Sequence, residues 1–152
     1  MRVVSLPTDA IEPTTTLGDW YANTLNVGRL RLLMCTSELS LLTVILPARQ
    51  LGEFPTHLRN AVRGMLASLG VPAQQIAREQ REMAWHRFDR TRSRQVLGSM
   101  NDFAFLADTY IRDDGPDVDL NSIARMLNHA PCRPINYESP DRLTPALFRR
   151  SS

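Results

Sequence analysis

Two neighbouring stretches hold the residues best suited to chemistry. Residues 86–94 contain His86, Arg87, Arg90, Arg92 and Arg94, and Gly98-Ser99-Met100-Asn101-Asp102 follows. Arg90, Arg92 and Arg94 alternate, so an extended backbone aims them to one side. Trp85 and Phe88 are interleaved with them. Arginines among aromatics suit single-stranded nucleic acid, through phosphate contact and base stacking. The competing reading puts the two rings in the core and pairs the arginines internally. Charge supplies a motive for that: residues 78–94 hold six Arg against three acids, and residues 102–119 hold six Asp against one Arg. Opposite charges so close in the chain can neutralise each other.

The glycine-serine turn invites two readings. As an anion site, Gly98, Ser99 and Asn101 would present helix N-terminal amides to a phosphate, with Arg92 and Arg94 alongside. As a capping box, Ser99 and Asp102 would satisfy backbone donors at the start of a helix. The second accounts for every residue and is preferred, because Asp102 competes with an anion for the same helix end. A nucleophilic serine lacks support, since Ser99 has no G-x-S-x-G context. His86 could reach it only in space, with Asp89 or Asp102 as orienter. No catalytic residue is therefore assigned.

Metal chemistry is weaker still. His57, His86, His129, Cys35 and Cys132 show neither HExxH nor CxxC spacing. His129 and Cys132 stand three apart, but a surface imidazole and a buried free thiol explain them equally well. The acidic run from Asp108 to Asp119 lacks the ligand order of a calcium loop. No metal and no cofactor are expected.

These residues need a scaffold, and the composition allows one. The chain has 152 residues, 43% hydrophobic and 22% charged, which suits a single domain with a buried core. All 18 basic residues are arginine, yet the net charge is only +2, too small for strong non-specific attraction to nucleic acid. The longest apolar run, Leu41 to Leu46, is too short to span a bilayer. No secretory signal stands at the N-terminus, so a cytoplasmic location and two free thiols are expected.

Patterning then places the elements. Residues 1–19 read as a short strand near Arg2–Leu6 and a loop-like extended segment. Residues 20–46 form the sheet core, with apolar alternation through Leu30–Cys35 and Leu41–Leu46, a hairpin turn at Thr36-Ser37-Glu38, and a stop at Pro47. A helix over 55–69 carries Leu58, Val62, Met65, Leu66 and Leu69, and Gly70 with Val71 suits a Schellman stop. A weaker surface helix follows Pro72 to about Glu82. Residues 83–92 read as a strand. A helix begins at Ser99 and carries Phe103, Leu106, Ala107, Tyr110 and Ile111. Asp119 caps another, to about Asn128. Ser139-Pro140 and Thr144-Pro145 each resemble a cap with a first-turn proline, and Pro145 should break or kink any helix running from 140 to 150. The sum is an α+β domain: a small, mostly antiparallel sheet with four or five helices packed on it.

Several strings are distinctive together: Trp20, Ala22 and Asn23; the Arg29-led apolar hairpin; Leu97 to Asp102; Leu127, Asn128 and Pro131; and Tyr137, Ser139 and Pro140. In these the chain resembles a family of small bacterial proteins known only as a domain of unknown function. The resemblance spans roughly Asp19 to Leu143 and implies no activity.

The combined reading is a non-enzymatic module that binds a macromolecule, nucleic acid or a partner protein. Its contact surface would be His86, Arg87, Arg90, Arg92 and Arg94. The alternative is a small enzyme acting on a phosphate-containing substrate at the Gly98–Asp102 helix start. A homodimeric subunit is the third reading, and no membrane association is expected.

Overall fold

The computed structural model describes residues 15–83, 85–87, 94–115 and 117–151; for residues 50, 51 and 85–87 only the backbone is considered. The first two strands, β1 (Trp20–Val27) and β2 (Leu30–Ser37), pair antiparallel from Trp20 opposite Ser37 to Val27 opposite Leu30. Only Gly28 and Arg29 separate them. Gly28 sits at φ +58°, a conformation that a two-residue hairpin turn demands and glycine takes without strain. The third strand, β3 (Thr43–Pro47), pairs antiparallel with β2. A short fourth, β4 (Trp85–Arg87), adds parallel to β1, giving the order β3-β2-β1-β4. The sheet is therefore mostly antiparallel with one parallel edge, within an α+β fold.

Pro47 ends β3 as expected, but the turn before that strand differs. Thr36 and Ser37 complete β2, and the chain reverses through residues 38–42, with Leu41 in a left-handed conformation. Hydroxyl groups make this possible inside the core. Ser37 Oγ accepts the Leu42 N–H at 2.9 Å and pairs with Ser40 Oγ at 3.1 Å. Thr36 and Thr43 join hydroxyl to hydroxyl at 2.8 Å. Four buried side chains thus satisfy one another, which removes the cost of burying them alone.

The described residues also form five α-helices. After a 3-10 segment (Ala48–Glu53), α1 (Phe54–Ser68) buries Phe54, Leu58, Val62, Met65 and Leu66. It ends in the Schellman motif: the Val71 N–H reaches the Leu66 carbonyl and the Gly70 N–H that of Ala67, both at 3.1 Å. The next helix, α2 (Ala73–Glu82), buries Glu79 as well as Ile76. The Glu79 carboxylate accepts the N–H groups of Thr16 at 2.7 Å and Leu17 at 3.0 Å, so it ties the N-terminal segment to the domain.

The long helix α3 (Arg94–Asp114) packs on β1 and β2 and corrects the expected helix start at Ser99. Its buried stripe begins at Val96 and continues through Met100, Phe103, Ala107 and Ile111. Gly98 is inside the helix, not a turn before it, because burial of Val96 and Ser99 outweighs the weak helix propensity of one glycine. Ser99 and Asp102 consequently form no capping box.

Asp119 caps α4 (Leu120–Asn128), accepting from Asn121 N–H at 3.0 Å and Ser122 Oγ–H at 2.9 Å. Those bonds hold its carboxyl below the usual range. The last helix, α5 (Pro140–Ser151), starts at Pro140 as expected but runs through Pro145 without breaking. Pro145 lies early in the helix, so only the Asp141 carbonyl loses its donor. Thr144 is likewise no cap: it is buried and donates to Ser40 Oγ at 2.8 Å, pinning α5 to the β2–β3 turn.

Candidate binding groove

The first turns of α3 and the segment Ala130–Pro134 form the two walls of a groove of about 470 Å³. From α3 come Arg94, Gly98, Ser99 and Asp102; from the other wall come Cys132 and Arg133. The helix delivers its residues by periodicity, since positions 94, 98 and 102 fall on one face. A Cβ added at Gly98 would meet no atom within 4 Å beyond its own stretch of helix, so this part of the groove wall is open.

The opposite wall is a tight hairpin-like loop. The Cys132 N–H donates to the Glu138 carbonyl at 3.0 Å and the Tyr137 N–H to the Cys132 carbonyl at 2.8 Å. Prolines at 131 and 134 exclude a regular helix there, leaving a single 3-10 turn, Arg133–Ile135. To close, Asn136 and Tyr137 both adopt left-handed backbone, at φ +58° and +63°. Such conformations cost a non-glycine residue on the order of 1 kcal/mol. One result is that the Tyr137 ring is 68% exposed. On the helix wall Phe105 is 74% exposed, three residues beyond Asp102 and on the same face. Both rings are exposed on the elements that supply the groove's walls, though neither lines the groove itself.

Among the described residues neither Arg94 nor Arg133 forms an ion pair. Among the described residues, the arginine–carboxylate pair of α3 is internal, Arg112 with Asp108. The Cys132 thiol is pushed up to about 11, first by burial and second by Asp102, so it stays protonated near neutrality. Its Sγ–H points to the Ala130 carbonyl at 3.4 Å.

His129 and Cys132 do not share a site. The His129 ring turns to Asp141 at 2.9 Å, and Asp141 also accepts from Ser139 Oγ. With the carboxylate between serine and histidine, the imidazole cannot deprotonate the hydroxyl, so this trio fastens α4 to α5 and is not a catalytic triad. Among the described residues no group of three His, Cys, Asp or Glu side chains is placed to hold a metal ion. No described helix is long and apolar enough to cross a membrane. Both cysteines are buried free thiols.

The chain belongs to the DUF6933 family, a domain of unknown function. The match covers residues 2–143. No curated protein matches the chain. On this DUF6933 domain three of the five distinctive strings lie at the groove or on its walls, whereas Trp20 to Asn23 and the Arg29-led hairpin belong to β1 and the β1–β2 turn. Leu97 to Asp102 is the groove's helical wall, Asn128 and Pro131 lead into the opposite wall, and Tyr137 closes that loop.

Of the expected site residues, His86 and Arg87 lie on β4 by their backbone, while Arg90 and Arg92 fall outside the described residues. Arg94 opens α3 and joins Gly98 and Ser99 in the groove, whereas Asn101 is exposed but does not line it. Gly98, Ser99 and Asn101 have no free helix amides to offer, because the helix begins at Arg94. Arg133, Phe105 and Tyr137 were invisible as partners of Arg94. Their one signal was an arginine held between two prolines, Pro131 and Pro134, where the chain cannot be helical.

Proposed function

We propose that this DUF6933 domain is a non-enzymatic module that binds single-stranded nucleic acid in the groove between α3 and residues 130–134. The observation that carries the reading is the pair Arg94 and Arg133, one on each wall and neither ion-paired among the described residues. Two guanidinium groups suit a phosphodiester backbone. Exposed Phe105 and Tyr137 add stacking platforms, a combination suited to unpaired bases. Asp102 supplies an acceptor among them, complementary to the exocyclic amines of adenine, cytosine or guanine.

The alternative, an enzyme working on a phosphate-containing substrate, would use the same arginines. The protonated Cys132 thiol favours binding over it.

Fluorescence anisotropy with short single-stranded RNA and DNA at low salt tests the proposal. Binding should weaken as salt rises, with a log–log slope of about −1.4 or steeper for two phosphate contacts. Arg94→Ala with Arg133→Ala should weaken it by at least about tenfold, and Phe105→Ala by about five- to a hundredfold. Absence of binding at low salt, or binding indifferent to all three substitutions, would overturn it.

A further inference from the structure

The groove bounded by Arg94 and Arg133 holds unlike charges that do not neutralise each other. Asp102 lines it with both arginines, and none of the three is ion-paired among the described residues. Burial first, and the Asp102 charge second, hold the proton on the Cys132 thiol. That carboxylate therefore acts across the groove, onto the opposite wall. Ser99, on the same wall as Asp102, is only 6% exposed. Its hydroxyl has no hydrogen-bond partner among the described residues. The one fully enclosed side-chain orphan among them is Trp20 Nε1, so the Ser99 oxygen keeps an opening, and the groove is the space that Ser99 lines. A nearly enclosed hydroxyl without a partner favours a ligand that supplies one.

Ser99 and Asp102 stand three residues apart in α3, so they are neighbours on one helix face, with Cβ atoms about 5–6 Å apart. That span is comparable to the hydrogen-bonding edge of one nucleobase. Along it the pair offers a hydroxyl donor and then two carboxylate acceptors. Among the four bases, guanine presents the full complement on its Watson–Crick edge: the O6 acceptor, then the N1–H and N2–H donors. Adenine and cytosine each set a ring-nitrogen acceptor against the carboxylate, and uracil sets a carbonyl oxygen there. Acceptor against acceptor repels and leaves both groups unsatisfied, which is how a polar site discriminates most sharply. These edges are free only in unpaired bases. A groove of about 470 Å³ is of the size that takes one small ligand, such as a single nucleotide.

We propose that the groove selects guanine among unpaired bases: Asp102 accepts N1–H and N2–H, Ser99 donates to O6, and Arg94 and Arg133 hold the neighbouring phosphates. This selectivity rests on the groove being a site for single-stranded nucleic acid, and it assigns the choice of base to Asp102. The two arginines serve any sequence alike, since phosphate contacts carry no base information. Asp102 weakens the attraction of the groove for phosphate, and a guanine edge is what returns that loss.

Fluorescence anisotropy at about 50 mM salt tests it, with short oligouridines carrying guanine, inosine, adenine or cytosine at the central position, beside the all-uridine chain. The guanine oligonucleotide should bind about five- to a hundredfold more tightly than the adenine, cytosine and all-uridine ones. Inosine keeps O6 and N1–H but lacks the N2 amine, so it should fall between. Asp102→Ala should bring the guanine-to-uridine affinity ratio close to one. The ratio is the readout because loss of a negative charge strengthens the hold on every phosphodiester. Asp102 is exposed, so its replacement should leave the fold intact, as circular dichroism will report. Ser99→Ala should lower the same ratio by a smaller factor. Equal affinity for all five oligonucleotides, or a guanine preference that survives Asp102→Ala, would overturn the guanine site and leave single-strand binding through Arg94 and Arg133 standing. No binding to any of the five would remove both.

Discussion

Asn128 at the end of α4 holds both backbone groups of Thr43 on the outer edge of β3. Its Oδ1 accepts the Thr43 N–H at 2.8 Å and its Nδ2 donates to the Thr43 carbonyl at 2.9 Å. The side-chain amide thus stands in for a neighbouring strand. An edge that could template pairing with another chain is closed there by one residue.

Replacing Asn128 with Ala should destabilise the domain by about 2–4 kcal/mol, read as a lower urea midpoint, because two buried backbone groups lose their partners. Asn128→Asp should rescue little, since a carboxylate has no donor for the Thr43 carbonyl and buries a charge. An Asn128→Ala chain as stable as wild type would show that the edge finds other partners.

Gly98→Ala should raise stability by about 0.5–1 kcal/mol, because Gly98 is helical and an added methyl meets nothing. Gly98→Met should keep the fold but project into the groove and weaken nucleic-acid binding. Destabilisation by Ala in thermal melts would contradict the open surface at this position.

Glu79 should make stability depend on pH. Burial raises its carboxyl above the ordinary 4.5, more than the Thr16 and Leu17 N–H groups and Arg78 lower it. A raised acid binds its proton more readily in the folded state. Its contribution is therefore fully present below 4.5 and is lost as pH rises through the raised value. Melting temperatures followed from about pH 4 to about pH 7 should fall less steeply on the alkaline side in Glu79→Gln than in wild type. Parallel profiles would remove Glu79 as the cause.

Thiol reagents should modify the native chain slowly near pH 8. Burial lifts Cys35 well above the usual thiol range, and Cys132 is pushed up to about 11. Both should react fast once the chain is unfolded in denaturant. Rapid labelling of native Cys132 would reopen a nucleophilic role, and its site is readable by peptide mapping.

The features legible in the sequence are those made by residues a few positions apart. Gly70 and Val71 close α1, Asp119 caps α4, Pro47 ends β3 and Pro140 opens α5. The start of α3 was within reach too: counting back from Phe103 by helical steps meets Met100 and Val96, both buried. Residues 20–27 were legible as part of the sheet core, but the bounds of β1 were not, because its polar Asn23, Thr24 and Asn26 interrupt the alternation and pairing with β2 sets them.

By itself, then, the sequence determined the local stops, caps and apolar stripes, since their hydrogen bonds and side-chain periodicities close within a turn or two of chain. Tertiary structure alone decided that Asn128 meets Thr43, that Thr144 meets Ser40 across 104 positions, and that Arg133 faces Arg94 across a groove. Those partners are selected by how helices settle on a buried sheet, and that packing depends on side chains distributed over the whole chain.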